Sequence, residues 1–437
     1  MANGPWVEHF PGNMVWSNAC LVTKGMAPYG AVALGEIDEV CERLRARQDE
    51  PDAWREEWCA LGARLEKVAD AAEAAGHKMA AGNYYLRAGM YYFTGERFIT
   101  PGEQKRETGR KAIELQNKGI LRRYPYAEKV EVPFEGNAPE RGAGPPGLGG
   151  CDRKGVCEPA ASNPGASVSA PGSHPASGNP ASPSAGTLPA LFMKAPGVSG
   201  RAPTVVVFDG MDNCKEMSVL FAGLEFAARG WHTLAIDGPG QGESLRLREL
   251  YARHDYEAPG AAAYDYVSSR PDVDPEKVIV MGYSFGGYYA ARVAAFEKRY
   301  AAGVAMSALH WDLAAWQAEI KRKQEANPKN TAQSTFHFRW IMGCIDDGNA
   351  AIEKAKKFSL AGVAEKISRP FLIVHGADDK VVPVANAHKL YEAIGSREKH
   401  LRILTAEDGG SYHAQADNRQ VGIDYIADWI DTVIRDS

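Results

Sequence analysis

The chain has 437 residues, of which 45% are hydrophobic, and its formal net charge is −5. A chain of this length exceeds one average domain and can bury a large core. The small net charge and the lack of a long run of Lys and Arg exclude nucleic acid and an anionic membrane surface as expected partners.

The start of the chain and the cysteines bear on its location. Residues 1–6 show no basic segment followed by an apolar run, and no stretch of about eighteen apolar residues occurs. We therefore expect neither a secretion signal nor a membrane span. The seven cysteines are scattered and predict neither a disulfide framework nor the paired spacing of a zinc site. The expectation is a cytoplasmic protein with no bound metal.

The N-terminal part of the chain is predicted to be helical. Residues 36–123 are rich in Ala, Glu, Arg, Leu and Lys, and apolar residues such as Trp54 and Trp58 recur at helical spacing. Because no repeat period is evident, a lid over a substrate or a homodimer contact is favoured over a protein-binding repeat array. We assign residues 1–128 to an N-terminal helical domain.

A predicted hairpin follows, with a long insertion between its strands. Residues 129–134 alternate like a strand, and residues 188–193 are the predicted partner. The stretch 136–186 is dominated by Pro, Gly, Ser and Ala, and such a composition cannot bury enough apolar area to offset the entropy of ordering it. We predict a disordered loop there.

From Thr204 onward, short apolar strands alternate with helical segments, which is typical of a largely parallel sheet flanked by helices. We assign residues 129–437 to this second, α/β domain. An extra helical stretch, residues 311–369, interrupts the alternation after the fourth strand. The predicted strands are 204–208, 233–236, 278–281, 303–306, 370–374 and 401–404.

The most informative motif is Gly-x-Ser-x-Gly around Ser284. It follows the strand at 278–281 and precedes a helix-compatible run at 288–295, which is the context of a nucleophile elbow. Such a turn strains the serine backbone and requires small residues two positions away, where Gly282 and Gly286 stand. A glycine-rich turn could contain the same five residues by chance. Whether Ser284 is a nucleophile therefore depends on the acid and the histidine that follow it in the chain.

The residues that would complete a catalytic triad follow in order. The loop after the strand at 370–374 contains Asp379, which has the better register, and Asp378, which is the alternative. The loop after the last strand contains His413. A serine hydroxyl needs an imidazole to take its proton and a carboxylate to orient that imidazole. The chain order Ser, Asp, His is that of the α/β-hydrolase fold, which we therefore predict.

An oxyanion hole needs two backbone N–H donors. Phe285, directly after the nucleophile, supplies the first, and Met211, in the loop after the strand at 204–208, is the candidate for the second. The glycine-rich loop 237–244 lacks the G-x-G-x-x-G spacing and follows an internal strand, so dinucleotide binding is rejected. No cofactor is expected.

These motifs resemble the α/β-hydrolases that carry an N-terminal helical domain, a group that includes dihydroxypseudooxynicotine hydrolase and the fermentation-respiration switch esterases. The chain resembles fungal polyketide-shortening hydrolases more distantly. The likeness covers most of the chain outside residues 136–186. This chain departs from the family pattern in that segment and in the residues around His413. The matching features outside the acid and histidine loops are residues 215–216, 237–243, 282–287 and 311–313.

The resemblance implies a serine hydrolase that cleaves a carbon–carbon bond next to a ketone, or an ester, in a mid-sized aromatic or polyketide-like small molecule. Attack on either carbonyl gives the same tetrahedral oxyanion, although a carbanion leaving group also needs a proton. The stretch 311–369 is expected to line the pocket. Asp312 is a candidate auxiliary acid or substrate anchor, with a helix N-cap as the alternative.

Other functions stay open from the sequence. A carboxylesterase or an acyltransferase would form the same acyl-enzyme, so the sequence does not separate them from a carbon–carbon hydrolase. A non-catalytic binding protein on the same scaffold is a further alternative, which the complete triad and the elbow glycines disfavour.

Overall fold

The computed structural model describes residues 8–136, 186–307, 311–326 and 335–436. The predicted disordered loop at 136–186 therefore lies, apart from its two end residues, outside the described residues. In the part of the chain that the structure describes, none of the helices combines the length and the apolar character needed to cross a lipid bilayer.

The described residues ahead of the first strand form five α-helices. Four of them lie in or at the edge of the predicted helical range, but α1 does not. Most of its residues are buried, so it lacks the apolar stripe that a surface helix shows. The bounds are α1 Met14–Lys24, α2 Leu34–Arg45, α3 Ala53–Ala74, α4 Lys78–Glu96 and α5 Glu103–Arg123.

Eight strands form one sheet among the described residues, in the order β1-β2-β4-β3-β5-β6-β7-β8. Each predicted strand overlaps an observed one. The bounds are β1 Ala127–Pro133, β2 Thr187–Met193, β3 Ala202–Phe208, β4 His232–Ile236, β5 Val273–Tyr283, β6 Ala302–Met306, β7 Phe371–Gly376 and β8 Lys399–Leu404.

The direction of the strands places the loops that carry the predicted site residues. β1 and β2 pair antiparallel, as expected for the hairpin, and β2 also pairs antiparallel with β4. All the remaining neighbours are parallel. Because the carboxyl ends of parallel strands lie at one edge of a sheet, the loops after β3, β5, β7 and β8 can converge there.

Helices that follow β3 pack on both faces of the sheet, since Val205 shares one hydrophobic cluster with Ile423 near the chain end and Val206 shares another with Val293. Helices α11 to α13 lie within the predicted helical insertion. The bounds are α6 Lys215–Ser218, α7 Leu224–Ala228, α8 Gly242–Arg248, α9 Glu257–Ser268, α10 Phe285–Phe296, α11 Leu313–Ala326, α12 Thr335–Ile341, α13 Gly348–Ala355, α14 Ala385–Ala393 and α15 Arg419–Asp436.

One hydrophobic cluster joins the helical region to the sheet. It includes Trp16 and Trp58 from the N-terminal helices together with Val205 of β3 and Ile423 of α15, all with no exposed surface. The described residues before 137 and after 185 accordingly form one compact unit. The division after residue 128, which falls at the start of β1, stays a proposal about domains that share a core.

Candidate active site

Ser284 sits at a strained turn between β5 and α10. Its backbone has φ 53° and ψ −121°, a region that a non-glycine residue adopts only when the surroundings enforce it. A Cβ on Gly282 would overlap the carbonyl of Gly286, and a Cβ on Gly286 would overlap the carbonyl of Phe208. Glycine at both positions therefore lets the turn pack against β3.

The structure brings Ser284, His413 and Asp379 into one hydrogen-bonded row. The Nε2 atom of His413 lies 2.9 Å from Ser284 Oγ, and its Nδ1 atom lies 2.7 Å from Asp379 Oδ2. Because a carboxylate can only accept, the proton of the neutral ring belongs on Nδ1. Nε2 is then free to accept the serine proton, which is the arrangement that a general base needs.

The carboxylate of Asp379 is held by three donors. Its Oδ1 atom accepts the N–H groups of Val381 at 2.9 Å and Val382 at 2.8 Å, while Oδ2 faces His413. Burial alone would raise the pKa of Asp379, but His413, together with His375 and the N–H of Val382, outweighs it and the net pKa is lowered. Asp379 is therefore ionised at neutral pH.

The neighbouring Asp378 points elsewhere. Its Oδ2 atom accepts a hydrogen bond from the Ser411 hydroxyl at 2.8 Å. Of the two acids that the sequence offered, Asp379 is the one within reach of His413.

The loop that carries His413 is fixed by residues that the sequence analysis did not single out. Ser307, buried after β6, accepts the N–H of Ala414 at 2.6 Å and the side-chain amide of Gln415 at 3.2 Å. The carboxylate of Asp417 accepts the N–H groups of Ser411 and Tyr412, each at 3.2 Å. No local pattern marks such residues, because a serine after a strand and an aspartate in a loop are common.

The candidate oxyanion donors belong to two segments next to the nucleophile. Phe285 is the first residue of α10, where helix N–H groups point toward the turn and favour negative charge. In the other segment, a Cβ on Gly210 would lie 3.3 Å from Ser284 Cβ. The loop that contains Met211, the next residue, thus approaches the nucleophile closely.

Asp312 is exposed and acts as the cap of α11. Its Oδ1 atom accepts the N–H of Ala315 at 2.9 Å, which is the N-cap arrangement. This contact supports the role of Asp312 as a helix N-cap. Its role as an auxiliary acid or substrate anchor stays a prediction, which no contact of Asp312 supports.

Replacing Asp312 tests these two roles. Asparagine caps a helix as well as aspartate but lacks its charge, so we expect Asp312→Asn to keep turnover within about twofold. Asp312→Ala should lower the free energy of unfolding by about 1 kcal/mol. The matched control is Asp347→Ala, because Asp347 caps α13 through the N–H groups of Asn349 and Ala350. A tenfold loss of turnover in Asp312→Asn alone would instead assign its charge to the substrate site.

The helical insertion contacts the acid loop. The indole N–H of Trp316 in α11 donates to the carbonyl of Val381 at 2.8 Å, two residues after Asp379. This contact places the described start of the insertion beside the triad, where it was expected to line the pocket.

A separate group of polar residues lies in the helical region. Within the described residues, His9, Cys20 and Cys41 are buried with potential ligand atoms within 4.8 Å of one another. The two sulfur atoms are 3.2 Å apart. The hydrogen bond to Cys41 and burial raise the pKa of Cys20 well above its usual value, which keeps it a thiol. The sequence alone does not reveal this proximity, because Cys20 and Cys41 are separated by 21 positions along the chain.

Comparisons with known proteins place the chain among hydrolases. Residues 226–437 match the profile of the prolyl oligopeptidase family, a span that includes the three residues of the hydrogen-bonded row. Hydrolase LUC6 of Fusarium sp is 26% identical over 428 residues, which are 90% of this chain and 90% of the relative. The similarity to LUC6 therefore includes the helical region as well as the sheet.

Two further proteins are similar to this chain. The 2,6-dihydropseudooxynicotine hydrolase of Paenarthrobacter nicotinovorans is 26% identical over 219 residues, and the match spans 50% of this chain and 55% of the relative. The crystal structure of the 2,6-dihydroxy-pseudo-oxynicotine hydrolase superposes with a TM-score of 0.65 at 21% identity, covering 93% of this chain and 94% of that one. The superposition shows a shared fold, including the helical N-terminal region.

Proposed function

Because the chain is an enzyme of the α/β-hydrolase class, we propose that it cleaves a carbon–carbon bond next to a ketone, or an ester, in a mid-sized aromatic or polyketide-like small molecule. Ser284 is the nucleophile, His413 the general base and Asp379 the triad acid. The observation that carries the proposal is the row of contacts at 2.9 and 2.7 Å that joins these three side chains.

The first half of the reaction forms an acyl-enzyme. Ser284 Oγ attacks the substrate carbonyl while His413 Nε2 takes the hydroxyl proton. The carbonyl oxygen becomes an oxyanion, for which the N–H groups of Phe285 and Met211 are the proposed donors. Asp379 stabilises the imidazolium that forms and does not itself become protonated.

The collapse of this intermediate defines the bond that breaks. The electron pair of the broken bond leaves with an alkoxide from an ester, or with the carbon next to a second carbonyl from a β-diketone, and His413 returns its proton to that atom. Water, deprotonated in turn by His413, then releases the carboxylic acid and restores Ser284. One set of side chains thus serves both leaving groups.

The choice of a small molecule over a peptide rests on the full-length similarities. The prolyl oligopeptidase profile matches only the C-terminal 226–437 part. The relative that aligns over 90% of both chains is named simply a hydrolase, and the protein that shares the helical region in its crystal structure is a hydrolase of 2,6-dihydroxy-pseudo-oxynicotine. By analogy, the helical region would close the site over a compact substrate.

The test is a parallel assay of purified protein and the Ser284→Ala variant on p-nitrophenyl esters and on aryl β-diketones. Products are identified by mass spectrometry in water enriched in oxygen-18. We expect the wild type to convert a diketone to a labelled carboxylic acid and a methyl or methylene ketone, and the variant to do neither.

The alternatives give other results in the same assay. Turnover of the esters alone would favour a carboxylesterase, and an ester product on addition of an alcohol would favour an acyltransferase. If neither substrate class reacts and a fluorophosphonate leaves Ser284 unlabelled, the proposal is wrong and a binding protein becomes the better reading.

A further inference from the structure

Three buried charged residues meet where the helical region contacts the α/β part of the chain. Glu96 at the end of α4 forms an ion pair with Lys105 Nζ of α5 at 2.9 Å and accepts a hydrogen bond from Arg246 Nη2 of α8 at 3.1 Å. None of the three side chains is more than 3% exposed. We call Glu96, Lys105 and Arg246 the buried charge cluster.

The two cations of the buried charge cluster hold Glu96 in its ionised form. Burial alone would raise the pKa of Glu96, but Arg246 and Lys105 outweigh it and lower its pKa to about 2. Removing one partner of such a cluster leaves an uncompensated buried charge, which is costly. The arrangement therefore fixes the position of the Arg246 guanidinium.

Arg246 uses its other nitrogen on the loop beside the nucleophile. Its Nη1 atom donates to the carbonyl of Asp212 at 2.9 Å. Asp212 comes directly after Met211 and has a φ of 56°, a conformation that favours glycine and needs external support in other residues. The guanidinium thus bridges the helical region and the strained part of the loop after β3.

Two further contacts surround the same loop residue. The Asp212 carboxylate lies between Arg97 Nη2 and His337 Nε2, each at 3.8 Å. The loop also has support that is independent of Arg246, since the N–H of Gly242 donates to the carbonyl of Asn213 at 2.7 Å. Loss of Arg246 should therefore shift the strained segment without unfolding the loop as a whole.

We propose that Glu96 and Arg246 are positioning residues through which the helical region holds the Met211 N–H in place for the oxyanion. This inference rests on the proposed function, because it takes Met211 as the second donor. Oxyanion donors act only when they are aimed at the charge that develops in the transition state. A misplaced donor should lower kcat while leaving ground-state binding nearly unchanged.

The test compares Arg246→Lys and Glu96→Gln with Lys105→Met. Arg246→Lys keeps the charge but loses the second nitrogen of the guanidinium. Lys105→Met disturbs the same buried charge cluster without touching Asp212, so it is the matched control for lost packing and charge. The readouts are kcat and KM on a p-nitrophenyl ester, the affinity for an aryl trifluoromethyl ketone, and amide hydrogen exchange of residues 209–213.

We expect Arg246→Lys and Glu96→Gln to lower kcat by about 30-fold, part of the loss known for deleting an oxyanion donor, with KM within about twofold. Affinity for the trifluoromethyl ketone, which forms a tetrahedral oxyanion on serine, should fall in parallel with kcat. Exchange in residues 209–213 should accelerate in these two variants and stay unchanged in Lys105→Met.

Two outcomes would overturn the inference. One is folded Arg246→Lys protein with wild-type kcat, inhibitor affinity and exchange. The other is equal losses in all three variants, which would mean that the buried charge cluster only stabilises the fold. Failure of the proposed function is visible separately, since the wild type would then neither turn over substrate nor react at Ser284.

Discussion

Replacing Ser284 with alanine is expected to lower kcat by about a million-fold, the loss seen when the nucleophile of such a triad is removed. His413 would retain its contact with Asp379, but it would have no hydroxyl to deprotonate. The residue is 9% exposed, and the loss of one hydroxyl creates no sizeable cavity, so the melting temperature should change little. The measurement is steady-state turnover of the best ester or diketone substrate.

The control for Ser284→Ala is an exposed serine outside the site. Ser269→Ala fits this purpose, since Ser269 follows α9, is exposed, and donates its hydroxyl to the nearby carbonyl of Tyr266. It should keep full activity, and mass spectrometry of fluorophosphonate-treated wild type should find the label on Ser284. Residual activity above about 1% in Ser284→Ala, with the label elsewhere, would assign the nucleophile to another residue.

The strands could be predicted because their sequence pattern has one physical cause. A parallel strand covered by helices on both faces is apolar throughout, and such short runs are easy to recognise between turn residues. β4 and β6 are buried at every position, and both were predicted to within one residue. Helix α1, buried on most sides, has no comparable signature because a short apolar run does not distinguish helix from strand.

The triad residues could be predicted because their chemistry requires a particular local sequence and a particular order along the chain. The glycines flanking Ser284 and the order of the three triad residues follow from the elbow and from the strand order. The contacts that hold the loops in place do not follow from any such pattern. Ser307 lies 107 residues before Ala414, and Glu96 lies 150 residues before Arg246. These residue types are common in any sequence, and the two members of each pair meet only in the folded chain.

The sequence favoured Asp379 over Asp378 by its register, but it did not show the contacts that make this choice. Asp378 and Asp379 both follow β7, and either side chain suits a loop. The fold decides through the turn itself, in which the N–H groups of Val381 and Val382 point at Oδ1 of Asp379. This turn leaves Oδ2 directed at His413, and it also determines what an amide at this position would do.

Asp379→Asn is expected to lower kcat by about ten-thousand-fold while the protein stays folded. The N–H groups of Val381 and Val382 require an acceptor, so the amide oxygen of the new side chain must take the place of Oδ1. Its NH2 group then faces His413 Nδ1 and donates to it. The ring is driven to the tautomer with its proton on Nε2, where it cannot accept the proton of Ser284.

Two measurements separate this explanation from a general loss of structure. The nitrogen-15 shifts of the His413 ring should report a proton on Nε2 in Asp379→Asn and on Nδ1 in the wild type. The matched control is Asp378→Asn, whose amide oxygen can still accept the Ser411 hydroxyl, so its kcat should stay within about fivefold of wild type. A greater loss in Asp378→Asn than in Asp379→Asn would mean that the acid of the triad is Asp378, since only that residue would then govern the tautomer of His413.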